Sequence, residues 1–141
     1  MEVKNIMQSF PITKFLRLVF LADAATCLAT GLLITLGASL LEQSLGLPMQ
    51  LLFYAGIGLF TFAAFLIYLA TRENLSPAAV WTVIILNVLW TADSFLILLS
   101  GWVAPTTLGY GFVVFQACGV AAFAALEYFG LRQSTKFATD F

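Results

Sequence analysis

The chain has 141 residues, of which 62% are hydrophobic and 9% charged, with a formal net charge of −1. A soluble domain carries about 25% charged and roughly 45–50% apolar residues, so this composition excludes a water-soluble globule and points to lipid as the solvent. The charges form no basic stripe for nucleic acid, and the absence of histidine excludes His-ligated haem, His-containing zinc or copper sites and His-based triads.

The first apolar run covers about residues 15–41, more than the roughly 20 residues a helix needs to cross a hydrocarbon core of about 30 Å. Lys4 and Lys14 precede it, and Ala22-Asp23-Ala24 mimics a signal-peptide cleavage site. The apolar character nevertheless continues to Leu41, so the run is expected to be a retained helix. A second run, about 50–71, follows Gly46-Leu47-Pro48. The third, about 79–100, follows Leu75-Ser76-Pro77, where Ser76 is placed to cap a helix and Pro77 to occupy its first position. The segment 101–107 separates it from the fourth, about 108–131. Backbone in lipid must be satisfied within a helix or a closed barrel, and runs of this length without alternation predict helices. The expected fold is all-α transmembrane, one integral membrane domain over residues 1–141, built as an up-down four-helix bundle.

Charge placement sets an expected direction. The six basic residues are Lys4, Lys14, Arg17, Arg72, Arg132 and Lys136, and none falls in the first or third connection, where Glu42 is the only charge. The positive-inside rule then places the N-terminus, the middle loop and the C-terminus in the cytoplasm. Trp102 and Tyr110 would anchor the outer boundary, and Tyr68, Trp81 and Tyr128 the inner one. Leu21–Ala24 resembles Thr91–Ser94, and Ile67–Arg72 resembles Glu127–Arg132, as a parallel duplication would require. The two spacings differ by ten residues, however, so a duplication is not established.

Polar residues within the spans are the candidate functional groups. Asp23, Thr26, Cys27 and Thr30 follow the i, i+3, i+4, i+7 spacing of one helical face. Asp23 lies nine residues beyond Lys14, roughly 13 Å deep at about 1.5 Å per residue. A charge near the bilayer centre costs at least about 2.5–3.5 kcal/mol, so Asp23 is expected to face the bundle interior and hydrogen-bond a polar side chain from another helix. Asn87, Trp90, Thr91 and Ser94 line a face of the third span, with Asp93 turned away from it. In the second span Tyr54, Gly58, Thr61, Phe65 and Tyr68 share a side on which Gly58 is expected to permit close packing. The fourth aligns Gln116, Phe123 and Glu127 beside a small-residue seam of Ala117, Ala121 and Ala124.

Asp23, Cys27, Asn87, Asp93 and Gln116 are the candidate intramembrane proton or ligand site. Arg17 and Glu127, at similar depth near the cytoplasmic side, are a candidate ion pair. Cys27 and Cys118 make no C-x-x-C motif and are expected to be buried, unreactive thiols. No metal site or cofactor is expected.

The segments LADAATCLATGLL, LNVLWTADSFLILLSGWVAPTTLGYGFV and AALEYFGLR resemble a widespread group of small, uncharacterised bacterial four-helix integral membrane proteins. The resemblance covers nearly the whole chain and implies a multi-pass protein of the bacterial cytoplasmic (inner) membrane, with no activity to transfer. The cysteine pairs of quinone-linked disulfide oxidoreductases are missing. The first-helix carboxylate is shared with small multidrug-resistance transporters, but their surrounding motif is not. Two functions remain open. One is an accessory or binding protein without catalytic chemistry, with membrane lipid, a homo-oligomer or a larger membrane complex as partner. The other is a small proton-coupled transporter protonated at Asp23, with Asp93 or Glu127 as its partner. An enzyme is not expected, since no nucleophile–base pair can be assembled.

Overall fold

The computed structural model describes residues 8–139, with side chains from 8 to 135. Lys4, and the side chain of Lys136, lie outside the described part. Five helices follow one another: α1 (Lys14–Leu36), α2 (Ala38–Leu45), α3 (Met49–Thr71), α4 (Pro77–Ser100) and α5 (Thr107–Thr139). Four of them, all but α2, are long and apolar enough to cross a membrane. Two short strands, β1 (Phe10–Pro11) and β2 (Asn74–Leu75), pair antiparallel.

The helix starts follow local chemistry. Thr13 accepts a bond from the Leu16 amide, 3.1 Å, and Ser76 accepts from the Ala79 amide, 3.2 Å, with Pro77 following as the first residue of α4. Thr106 does the same for the Gly109 amide, 3.1 Å. Each cap satisfies an amide that has no partner within its own helix. The expected first span is not one helix: it breaks at Gly37, whose φ of −96° and ψ of 13° turn the chain into α2.

Each long helix buries a narrow stripe in alternating steps of three and four residues. On α3 the stripe is Leu52, Gly56, Leu59, Ala63, Leu66 and Ala70. On α1 it runs through Leu16, Phe20, Asp23, Cys27 and Ile34, and on α4 through Val80, Ile84, Asn87 and Ser94. This is the seam of left-handed helix packing. Large apolar side chains elsewhere on the same helices are exposed, among them Leu18, Leu36, Leu99 and Phe115. In water such a surface would drive aggregation; in a bilayer it is the lipid-facing wall.

The helices associate chiefly as two hairpins, α1 with α3 and α4 with α5, and α1 packs on α5 to join them. Arg17 meets Ala70 while Gly31 meets Gly56, so α1 and α3 run antiparallel. Trp81 stacks on Tyr128 while Ser94 bonds Gln116, so α4 and α5 also do. The close approach of α3 to α1 occurs at Gly56, where an added Cβ would collide with Thr35. Gly58, expected at that contact, faces open space.

Both ends are stitched. At one, β1 pairs β2, the Ile12 amide donates to the Glu73 carbonyl (3.0 Å), and Phe10 and Leu75 are buried. At the other, the Thr106 amide and hydroxyl donate to the carbonyls of Leu45 and Ser44, at 3.0 and 2.7 Å. Gly109 is required there, because a Cβ would collide with the Leu45 carbonyl oxygen.

Candidate functional site: a buried carboxylate–amide–carboxylate cluster

The seam positions of three helices place polar side chains in one layer. Asp23 of α1, Asn87 of α4 and Glu127 of α5 are exposed by only 1%, 3% and 0%. The Asn87 amide nitrogen donates to Asp23 Oδ2 at 3.0 Å and to Glu127 Oε2 at 2.8 Å, so one amide bridges two carboxyl groups. The Cys27 thiol, one turn along α1, lies 3.6 Å from Asp23 Oδ1 and donates to it. Because both accept from the same nitrogen, the Asp23 and Glu127 carboxyl groups stand side by side. Glu127 Oε1 is fully buried and receives no bond from any described donor. On α3, Ala63 and Leu66 are fully buried and the buried residues are all apolar or glycine.

The cluster forms because α1 and α5 run antiparallel. Leu16 meets Gly130, which leaves Asp23 and Glu127 about one helical turn apart along the bundle. Helical side chains lean toward their own N-terminus, and in antiparallel helices these two therefore lean toward each other's level. A second polar group lies further along α4 and α5. Trp90 Nε1 donates to Gln116 Oε1 at 2.8 Å, and Gln116 Nε2 donates to Ser94 Oγ at 2.9 Å.

The residues singled out in the sequence separate accordingly. Asp23, Cys27 and Asn87 come together, while Gln116 belongs to the Trp90–Ser94 group. Asp93 lies on the exposed face of α4, away from both. Thr26 is exposed rather than part of the buried face, since its hydroxyl donates to the Ala22 carbonyl (2.9 Å) within its own helix and needs no other partner. Cys118 is exposed, contrary to the expectation of a buried thiol, because it falls outside the α5 seam.

Arg17 and Glu127 do not form a pair. The Arg17 guanidinium donates to the carbonyls of Ala70 (2.9 Å) and Arg72 (3.3 Å), which the end of α3 leaves free, while Glu127 turns inward to Asn87. Glu127 thus stands beside Asp23, as one of the two partners considered for it in the sequence, and not beside Arg17. Its signal in the sequence is the spacing Val113, Ala117, Ala124, Glu127, Leu131, which sets it on the buried stripe. Among the described residues no group of His, Cys, Asp and Glu is arranged to hold a metal ion. In comparisons with known proteins, no family, no curated protein and no solved structure matches this chain.

Proposed function

We propose that the chain is a multi-pass protein of the bacterial cytoplasmic membrane that works as an accessory or binding protein, without catalytic chemistry, and that its ligand is a lipid acyl chain. In this reading α1, α3, α4 and α5 form an up-down bundle with both termini in the cytoplasm. Lys14, Arg17, Arg72 and Arg132 all belong to the end where β1 meets β2, and the opposite connections carry Glu42 as their only charge.

The observation that carries the reading is the direction of the polar groups. Asp23, Asn87, Glu127 and Gln116 point inward and are bonded to other side chains, whereas the open groove between α1, α2 and α5 is apolar. Leu33, Leu41, Leu108, Phe112 and Phe115 line it, beside Gly111. Apolar walls with almost no polar group suit a hydrocarbon chain better than a polar solute. A Cβ at Gly111 would meet nothing within 4 Å, so a larger side chain there fills the groove without disturbing the bundle. Native mass spectrometry of the detergent-solubilised protein is the test. Retained phospholipid that is lost in Gly111→Leu supports the reading, and equal retention in both overturns it.

The buried pair of carboxyl groups favours a second reading, a small proton-coupled transporter protonated at Asp23. Dye-monitored proton flux in proteoliposomes decides between them. Flux present in the native protein and absent in folded Asp23→Asn would replace the binding reading with transport.

A further inference from the structure

We propose that Asp23 and Glu127 form a binding site for a single proton, and that this proton latches the α1–α3 hairpin to the α4–α5 hairpin. The proposal concerns the interior of the bundle and does not depend on what the outer groove binds.

It follows from a donor count. An ionised carboxylate only accepts hydrogen bonds. The two carboxyl groups stand side by side on one amide nitrogen, and between them they receive the Asn87 amide and the Cys27 thiol. That leaves Glu127 Oε1 fully buried with no donor aimed at it. Buried polar atoms without partners are rare in folded proteins, and two neighbouring buried carboxylates are mutually repulsive as well. One hydrogen shared by the pair removes both faults. It supplies the missing donor and leaves the pair one negative charge, which the Asn87 amide and Cys27 thiol stabilise.

Among the described residues no basic side chain takes the proton's place. From α1 the groups facing the pair are Asp23 and Cys27, from α4 Asn87, and from α5 Glu127. The buried residues of α3 are all apolar or glycine. Arg17 is held on the carbonyls of Ala70 and Arg72, and Lys14 is exposed.

The position of the site makes the proton a latch. Asp23 belongs to one hairpin and Asn87 and Glu127 to the other, and α1 against α5 is a smaller contact than either hairpin makes within itself. Loss of the proton puts two adjacent negative charges on opposite sides of that seam. The folded, latched state binds one more proton than the state with the hairpins apart. By linkage, its stability therefore falls as pH rises through the range in which that proton is lost.

The test is infrared spectroscopy of the native protein in lipid nanodiscs at neutral pH, with folding checked by circular dichroism. We expect a protonated-carboxyl C=O band that shifts on deuteration, disappears in Glu127→Gln and persists in Asp93→Asn. The thermal midpoint of the native protein should fall from neutral to alkaline pH, and that of Glu127→Gln, whose amide supplies a permanent donor, should stay level. Absence of the band from the folded native protein, or its survival in Glu127→Gln, would overturn the proposal. If Glu127→Gln does not fold, the native spectrum and its pH-dependent midpoint decide alone. Absence of either the band or the alkaline fall overturns the latch, while lipid retention is read separately and is unaffected.

Discussion

The two hairpins are held together by different means. Between α1 and α3 the contact is dry. Gly31 and Gly56 bring the backbones close, and the polar bonds crossing between these helices are those of Arg17, at the very end. Between α4 and α5 the contact is partly polar, with Trp90, Gln116 and Ser94 linked in series and Trp81 packed edge-on against Tyr128 at 5.7 Å. Lipid tails are as apolar as the side chains they would replace, so helix association in a bilayer depends on close packing and on hydrogen bonds. This protein uses one in each hairpin. The seam between the hairpins adds the Asp23–Asn87–Glu127 layer, in which buried polar side chains bond across it.

That difference predicts where damage is greatest. Asn87→Leu removes the amide that bridges both carboxyl groups and leaves buried charge without its donor. Breaking such an arrangement costs about 3–5 kcal/mol, the largest effect expected of any single change here. Denaturant unfolding in micelles, followed by tryptophan fluorescence, measures it. Acidification should restore part of the loss, because a second proton neutralises the remaining charge. A loss of similar size at every pH would show that packing, not charge, is the fault.

Within the dry hairpin, Gly56→Leu should cost roughly 1–3 kcal/mol by overpacking, since Thr35 and the Gly31 carbonyl already occupy the space. In the polar hairpin, Gln116→Leu removes bonds to Trp90 and Ser94. Interhelical hydrogen bonds in membranes average about 0.6 kcal/mol and reach about 1.7, so a loss of about 1–2 kcal/mol is expected in the same assay. If Gln116→Leu proved the costlier of the two, the polar links would dominate both hairpins and the contrast between them would fail.

The spans were legible because their lengths and breaks are written in composition. The expected runs 50–71 and 79–100 differ from α3 and α4 by no more than two residues at either end. Which face of each helix points inward was far less legible. In a soluble helix the polar face marks the outside, but here lipid and core are both apolar and the usual contrast vanishes. Polar residues were the surviving signal, and they separate into two kinds. Asp23 and Asn87 are joined to partners on other helices and sit inside. Thr26 and Thr61 bond the preceding turn, at 2.9 and 3.1 Å, and sit outside. Arg17 with Glu127 was misjudged because counting residues gives backbone depth and ignores side-chain lean. The β1–β2 pairing depends on contacts between distant segments, which periodicity does not encode.

The smallest effect sharpens the comparison most. Gly56 and Gly58 are two residues apart on α3, yet Gly56 is buried against α1 and Gly58 meets nothing within 4 Å. Alanine is better than glycine in a helix interior by about 0.8–1 kcal/mol, so Gly58→Ala should be neutral or slightly stabilising. Gly56→Ala gains the same helix propensity but must seat a methyl group against Thr35, and should be destabilising. The sign of the difference between the two variants, measured in one unfolding assay, reports the rotation of α3 about its own axis. Equal costs at both positions would mean that the face carrying Gly58 is also packed, and a second copy of the chain would then be the candidate to cover it. A concentration-dependent loss of that cost on dilution in detergent would identify the copy.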